Sequence, residues 1–292
     1  MASAVVPTSL AELGAQCDDA AWLDALKEAS IGPVVRGVRF PSPPEPRWQS
    51  NFVGMSGATA LEDAFVFYQF VKAEYQRLSE HSVSATNRVL DFGSGWGRYL
   101  LFFMKDVAAE NLFGIDVDPD VIGFCKVSGL PAQLMTVPPY GPTTFAPASF
   151  DLIYSYSVFS HLAEPAHLAW IHEFSRILRP GGILVITTQA RHFIQQVKAL
   201  IGKPKEELGP WERSLAAVFR DPDASIAAYD RGEFVYAASG GGDHRPATFY
   251  GEALVPKEYM ERAYPSEIQI KTFISDPSRF AQAVAVFQRA SR

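Results

Sequence analysis

The chain reads as an α/β protein with a doubly wound, mostly parallel sheet of seven strands, the last of them antiparallel. Three observations predict this. Apolar Val89 and Leu90 form a buried strand that runs into a turn cleared by Gly93, Gly95 and Gly97. Beyond that turn, strand-like and helical runs alternate, the pattern of a parallel sheet. An acid, Asp116, then ends the second strand about twenty residues past the glycines, where such sheets place a ribose-binding carboxylate.

The 292 residues divide into a helical extension (1–86), a nucleotide-binding core (87–188), an insertion (189–265) and C-terminal strands completing the sheet (266–292). Hydrophobic residues at 48% and charged residues at 20% describe an ordinary globule with ample core. A net charge of −6 offers no basic footprint for nucleic-acid phosphates. Cys17 and Cys125 lack metal spacing, and Cys125 falls in a helical apolar pattern, so an inert core thiol is expected. With no basic n-region at the start and no apolar run of ~18 residues, no membrane partner and a cytoplasmic location are expected. Composition leaves the oligomeric state open.

In the extension, Leu10–Ser30 carries apolar residues at helical spacing and stops at Ile31-Gly32-Pro33. Phe40–Pro46 is a proline-rich extended connector. Ala58–Leu78 is a long helix with a wide aromatic face that serves either for packing or as a lid. Asn51–Gly57 is positioned to reach a ligand from above. After the glycine turn, Tyr99–Phe103 starts a helix, Asn111–Asp116 is the second strand, and Asp118-Pro119 opens a helix by capping grammar. Asp116 is therefore read as the ribose ligand and Asp118 as the cap.

Ala132–Val137 and Phe150–Ser155 follow as strands three and four. Ala166–Leu178 is a helix ended by Arg179-Pro180-Gly181-Gly182, with His167 and His172 on its surface. Ile183–Thr188 is a strand buried on both faces. In the insertion, Arg191–Ile201 and Trp211–Arg220 read as helices. Glu233–Tyr236 can pair with Thr248–Ala253 across the glycine-rich Ser239–Gly242. Glu267–Ile274 and Gln282–Gln288 form the final antiparallel pair.

The glycine spacing selects the ligand. A dinucleotide fingerprint counted from Gly93 or Gly95 ends on Arg98 or Leu100, and neither fits. Asp91, two residues before Gly93, suits a ligand with an ammonium group. Asp91–Gly97 resembles motif I of class I S-adenosylmethionine-dependent methyltransferases, whose fold is Rossmann-like. Asp151–Leu162 resembles motif IV of the bacterial small-molecule and glycan-linked members, and Leu178–Leu184 their turn after it.

The resemblance implies that S-adenosylmethionine binds and leaves as S-adenosylhomocysteine. It assigns Asp91, Phe92, Gly93, Ser94, Gly95, Asp116, Val117, Met135, Ser155 and Tyr156 to the cofactor. Ser157 and Ser160 stand where some relatives carry metal-binding glutamates, so in-line displacement without a metal is expected. His161 is the one neutral-pH base in motif IV, acting either on the acceptor's proton or within the loop. The insertion is either a substrate-recognition element or a solvated loop. As the former it would offer Tyr236, His244, Arg245 and Tyr250, with Ser157, to a small-molecule or glycan acceptor. Two other classes are kept alongside: an NAD(P)-dependent oxidoreductase, and a non-catalytic S-adenosylmethionine-binding protein.

Overall fold

A computed structural model of the chain describes residues 7–291. The first six residues, on which part of the leader reading falls, lie outside them. One seven-stranded sheet has the order β10-β11-β7-β6-β3-β4-β5, and the chain divides into two compact units, 1–137 with 150–154 and 138–149 with 155–292.

The first unit begins with α1 (Leu10–Ala15) and α2 (Asp19–Ala29), followed by a small hairpin of β1 (Val34–Val35) and β2 (Val38–Arg39). The single expected helix over Leu10–Ser30 is broken in two. Asp18 turns extended there, and its side chain accepts the Ala21 N–H as a new N-cap. Next come α3 (Pro46–Val53) and α4 (Gly57–Ser79), so Asn51, Phe52 and Val53 finish a helix to which the sequence reading had assigned no element.

The chain then runs through β3 (Val89–Phe92), α5 (Leu100–Phe103), β4 (Leu112–Asp116), α6 (Pro119–Val127), β5 (Gln133–Thr136) and β6 (Phe150–Ser155). β3 pairs in parallel with β4 and β6, and β4 with β5. The aromatic face of α4 serves for packing: Tyr68 stacks on Phe102 at 5.1 Å and meets Phe103 edge-on at 5.0 Å. Beside it, Lys72 bridges Asp19 at 2.7 Å and Asp106 at 2.8 Å, tying α2 to α4 and to the turn after α5.

The second unit contains α7 (Glu164–Ile177), β7 (Leu178–Thr188), α8 (Arg191–Leu200), α9 (Pro210–Val218), α10 (Pro222–Asp230), β8 (Val235–Ala238), β9 (Gly251–Leu254), α11 (Lys257–Ala263), β10 (Ile268–Ile274) and β11 (Ala283–Arg289). β7 follows α7 without an intervening loop, where the sequence predicted a Pro-Gly-Gly turn. Its ladder to β11 starts at Ile183, and Gly181 absorbs a left-handed φ of 79° ahead of it. The β8–β9 pair forms as expected, with Tyr236 opposite Ala253.

Phe193, Ile194, Val197, Leu215, Phe219, Val235 and Leu254 give the insertion a core of its own, which a merely solvated loop would lack. His167 corrects the sequence reading: it is fully buried, hydrogen-bonded to the Tyr264 hydroxyl and set edge-on to Phe159. His172 is exposed as expected. Cys17 and Cys125 are both free and buried. Among the described residues no helix is long and apolar enough to cross a membrane.

Candidate functional site

In the first unit the site is built at the end of β3. Gly93, Gly95 and Gly97 all take left-handed φ values of 72°, 51° and 84°, which residues with a Cβ adopt only under strain. The two outer demands differ. A Cβ on Gly97 would stand 2.6 Å from the Leu130 Cδ2, so that glycine serves packing. A Cβ on Gly95 would meet only the Phe52 ring, at 3.7 Å, leaving its open side for a ligand.

The loop is held by the tip of β4. The amides of Gly93 and Ser94 donate to the Ile115 carbonyl at 2.8 and 3.1 Å. Asp116 accepts the Gly95 amide on Oδ2 at 2.9 Å and the Asp118 amide on Oδ1 at 3.0 Å. Asp118 caps α6 through the Asp120 amide at 3.0 Å, as the capping grammar predicts. The Cys125 thiol donates to the Gly95 carbonyl at 3.3 Å, and burial pushes its pKa up to about 12, beyond thiolate chemistry. α5 is a single turn, shorter than expected, so little helix dipole is aimed at the loop.

Asp91 is the unusual member. It is 1% exposed, and its Oδ2 has no hydrogen-bond partner. Burial raises its pKa well above the carboxylate range and the negative charge of Asp116 adds to this, while Tyr154 and Arg98 oppose it. The Tyr154 hydroxyl lies near enough to temper the shift but too poorly aligned to satisfy Oδ2. The Ser94 hydroxyl and the Trp96 indole N–H are likewise buried and unpartnered. A buried acid in this state favours a cationic hydrogen-bond donor over water. An ammonium group fits it; a pyrophosphate does not. Phe92 is buried beside it, and Val117 and Met135 are half-buried at the tips of β4 and β5.

In the second unit a polar cluster surrounds His161. Ser155 is buried at the end of β6, Tyr156 is half-buried, and Ser157 then takes a left-handed φ of 58°. Its amide donates to Thr187 Oγ1 at 2.7 Å, and its hydroxyl accepts from Gln282 Nε2 at 2.9 Å. Thr187 Oγ1 donates in turn to Gln282 Oε1 at 2.7 Å. Ser157 Oγ lies 3.4 Å from His161 Nε2.

The segment after β6 pairs with β9, since the amides of Gly251 and Ala253 donate to the carbonyls of His161 and Ser160, both at 2.7 Å. That pairing brings residues ninety apart in the sequence into contact. His161 Nδ1 donates to the Gly251 carbonyl at 2.8 Å, and the ring stacks on Tyr250 at 4.9 Å with an interplanar angle of 10°. Because a carbonyl only accepts, Nδ1 carries the proton and Nε2 keeps its lone pair. Burial lowers the His161 pKa to about 4, and the Arg245 charge adds to this against the Gly251 hydrogen bond, so the ring is neutral at neutral pH.

Arg245 sits 5.7 Å from the Tyr250 ring centre. The Tyr236 hydroxyl donates to the Ala247 carbonyl at 3.3 Å, and His244 is exposed on the hairpin tip. Glu252, Gln189, Gln282 and Thr187 join this cluster without having been singled out in the sequence. One signal pointed to Glu252: a lone carboxylate inside the otherwise apolar run Gly251–Val255.

Comparison with known proteins agrees with this architecture. The methyltransferase domain family matches residues 90–186. The Aspergillus luteorubrus protein named "Probable methyltransferase ltbC" is 26% identical over 126 residues, covering 38% of this chain and 43% of that protein. The chain thus matches less than half the length of this curated relative.

Two solved structures share the fold. The PH0226 protein from Pyrococcus horikoshii OT3 aligns at a TM-score of 0.50 and 14% identity, over 76% of this chain and 89% of that one. An S-adenosylmethionine-dependent methyltransferase from Clostridium acetobutylicum aligns at 0.50 and 12% identity, over 78% and 92%.

Proposed function

We propose that this chain, whose residues 90–186 match the methyltransferase domain family, is an S-adenosylmethionine-dependent methyltransferase. It moves a methyl group to a small-molecule or sugar-linked acceptor without a metal. The observation that carries this reading is the unpartnered Oδ2 of Asp91 beside the open face of Gly95. In this reading Asp91 receives the ammonium group of the cofactor's methionine end. The backbone around Gly93, Ser94 and Gly95 closes on that end, with Phe92 behind it. Asp116, which accepts the Gly95 and Asp118 amides, would meet the ribose hydroxyls at the tip of β4. Val117 and Met135 supply apolar contact for the base, and Ser155 and Tyr156 border the methyl group.

The bound cofactor supplies an electrophilic sulfonium methyl. The protein's share is therefore positioning the acceptor and excluding water. Ser157, Tyr236, His244, Arg245 and Tyr250 are assigned to the acceptor, and the Nε2 of His161 to its proton.

Isothermal titration with S-adenosylmethionine, S-adenosylhomocysteine and NADH in parallel tests the reading. Micromolar affinity for the first two and none for NADH is expected. Binding of NADH alone would transfer the glycine turn to an oxidoreductase. Cofactor binding without turnover over a broad acceptor panel would favour a sensor. Asp116→Ala, which orphans the Gly95 and Asp118 amides as well as the ribose, should weaken cofactor binding at least tenfold (~1.4 kcal/mol).

A further inference from the structure

Glu252 is the one carboxylate beside His161, and the methyl-transfer reading gives it no task. It lies on β9, 7% exposed, with Oε2 3.6 Å from His161 Nδ1 and 3.4 Å from Gln189 Nε2. Among the described residues no lysine or arginine forms an ion pair with it. A carboxylate placed this deep with one long hydrogen bond is costly unless the site uses it. The ionisable side chains around the pair are Arg245 on the hairpin tip, Tyr236 on β8 and Tyr250 just before β9.

We propose that Glu252 is where the acceptor's proton comes to rest, reached through His161, and that the acceptor is a hydroxyl compound. This inference rests on the methyl-transfer reading above. His161 Nε2 takes the proton from the acceptor oxygen as that oxygen's lone pair forms the bond to the methyl group, while the sulfur keeps the pair of the bond that breaks. His161 Nδ1 then gives up its proton to Glu252 Oε2, turning from the Gly251 carbonyl across the 3.6 Å gap. After the ether product departs, Nε2 releases its proton to solvent and Glu252 returns its proton to Nδ1, which restores the starting tautomer and balances the cycle.

The direction of transfer follows from burial. It raises the Glu252 pKa to about 7 and lowers the His161 pKa to about 4, so the carboxylate is the stronger base of the two. Arg245 selects the acceptor class. Its positive charge already opposes a cation on His161, and it would equally oppose an ammonium acceptor while favouring an oxygen that is losing its proton.

Difference infrared spectroscopy of the ligand-free protein tests the assignment without any acceptor. Subtracting Glu252→Gln from wild type should isolate a protonated carboxyl band with a midpoint at about 7, separate from Asp91. A midpoint in the ordinary range of about 4–5 would overturn the assignment.

A second arm offers the cofactor with panels of alcohols and phenols on one side and primary amines on the other. Hydroxyl compounds alone should be methylated. Glu252→Gln should slow them roughly 10–100-fold and abolish the acidic limb of the rate profile, with cofactor affinity unchanged. Glu252→Asp, which keeps the carboxyl, should restore part of that limb and controls for misfolding. Wild-type rates and profile in Glu252→Gln, or methylation of amines alone, would overturn the proposal. Methylation of neither panel would overturn the hydroxyl acceptor together with the methyl-transfer reading. A missing infrared titration overturns only the role of Glu252, so the two failures separate.

Discussion

The glycine corner of the first unit and the histidine cluster of the second are assembled in opposite ways. Around Gly93–Gly97 the contacts are backbone to backbone, backbone to Asp116 or backbone to the Cys125 thiol, none spanning more than 30 residues, and one oxygen of the central acid lacks a partner. Around His161 the contacts are mostly side-chain bonds across 30, 90 and 125 residues, and both ring nitrogens are engaged. One region leaves a polar demand open for a ligand. The other satisfies most of its demands internally and holds its side chains in place ahead of any ligand.

The sharpest way to separate the two regions is His161→Ala. In an acceptor assay it should lower turnover by roughly 10²–10⁴-fold while the calorimetric affinity for S-adenosylmethionine stays the same. A parallel fall in cofactor affinity would mean that the cluster is not an independent site.

Gly97→Ala should come next, acting on the fold. The alanine would have to hold a φ of 84° with its Cβ 2.6 Å from Leu130, and a loss of roughly 2–5 kcal/mol in denaturant unfolding is expected. Gly95→Ala, with open space around its Cβ, should lose only about 1–2 kcal/mol.

Asp91→Asn should weaken S-adenosylmethionine binding roughly 10–100-fold by removing the charge that meets the ammonium. Its effect on the ligand-free fold has the opposite sign. The folded pKa of Asp91 is raised above its unfolded value, so its contribution to stability is complete below the unfolded pKa and is lost as pH rises through the folded one. Asparagine removes that loss. Wild type should therefore fall behind the variant as pH is raised from 5 towards 8 in urea titrations; a variant less stable at pH 8 would refute the burial argument.

The smallest effect belongs to Ser157→Gly. Glycine relieves the left-handed φ of 58° but gives up the hydrogen bond from Gln282, and the two should cancel to within about 1 kcal/mol in the thermal midpoint.

This contrast also explains what the sequence disclosed. The glycine corner was legible because its logic is local: strand, turn glycines, strand-tip acid, cap and Pro119 follow one another, and the capping role of Asp118 comes directly from its spacing. The strands of the seven-stranded sheet were located to within a residue or two, apart from the early start of β7, whereas β9 starts three residues later than read and the short β1 and β2 were not foreseen. The histidine cluster was legible only in part. Glu252 comes to His161 through the pairing of β9, and a four-residue strand offers too little alternation to show which way a carboxylate faces. His167 was placed on the helix surface because its polar ring fits there. Its burial depends on Tyr264, 97 residues downstream, and no local rule reports that. The break at Asp18 was missed because apolar spacing continued through it, although the cap that causes it was present in the sequence.

The strand order also sets a schedule for biosynthesis. β11 is made after every other strand of its sheet, yet it lies inside the sheet with β7 on one side and β10 on the other. A nascent chain still missing Ala283 onward therefore leaves the long, apolar edge of β7 bare at Ile183–Thr188, and exposed edges of this kind recruit other strands. Until β11 emerges, the chain depends on chaperones or on speed of synthesis, and truncations that remove β11 should produce aggregates rather than a slightly weakened protein.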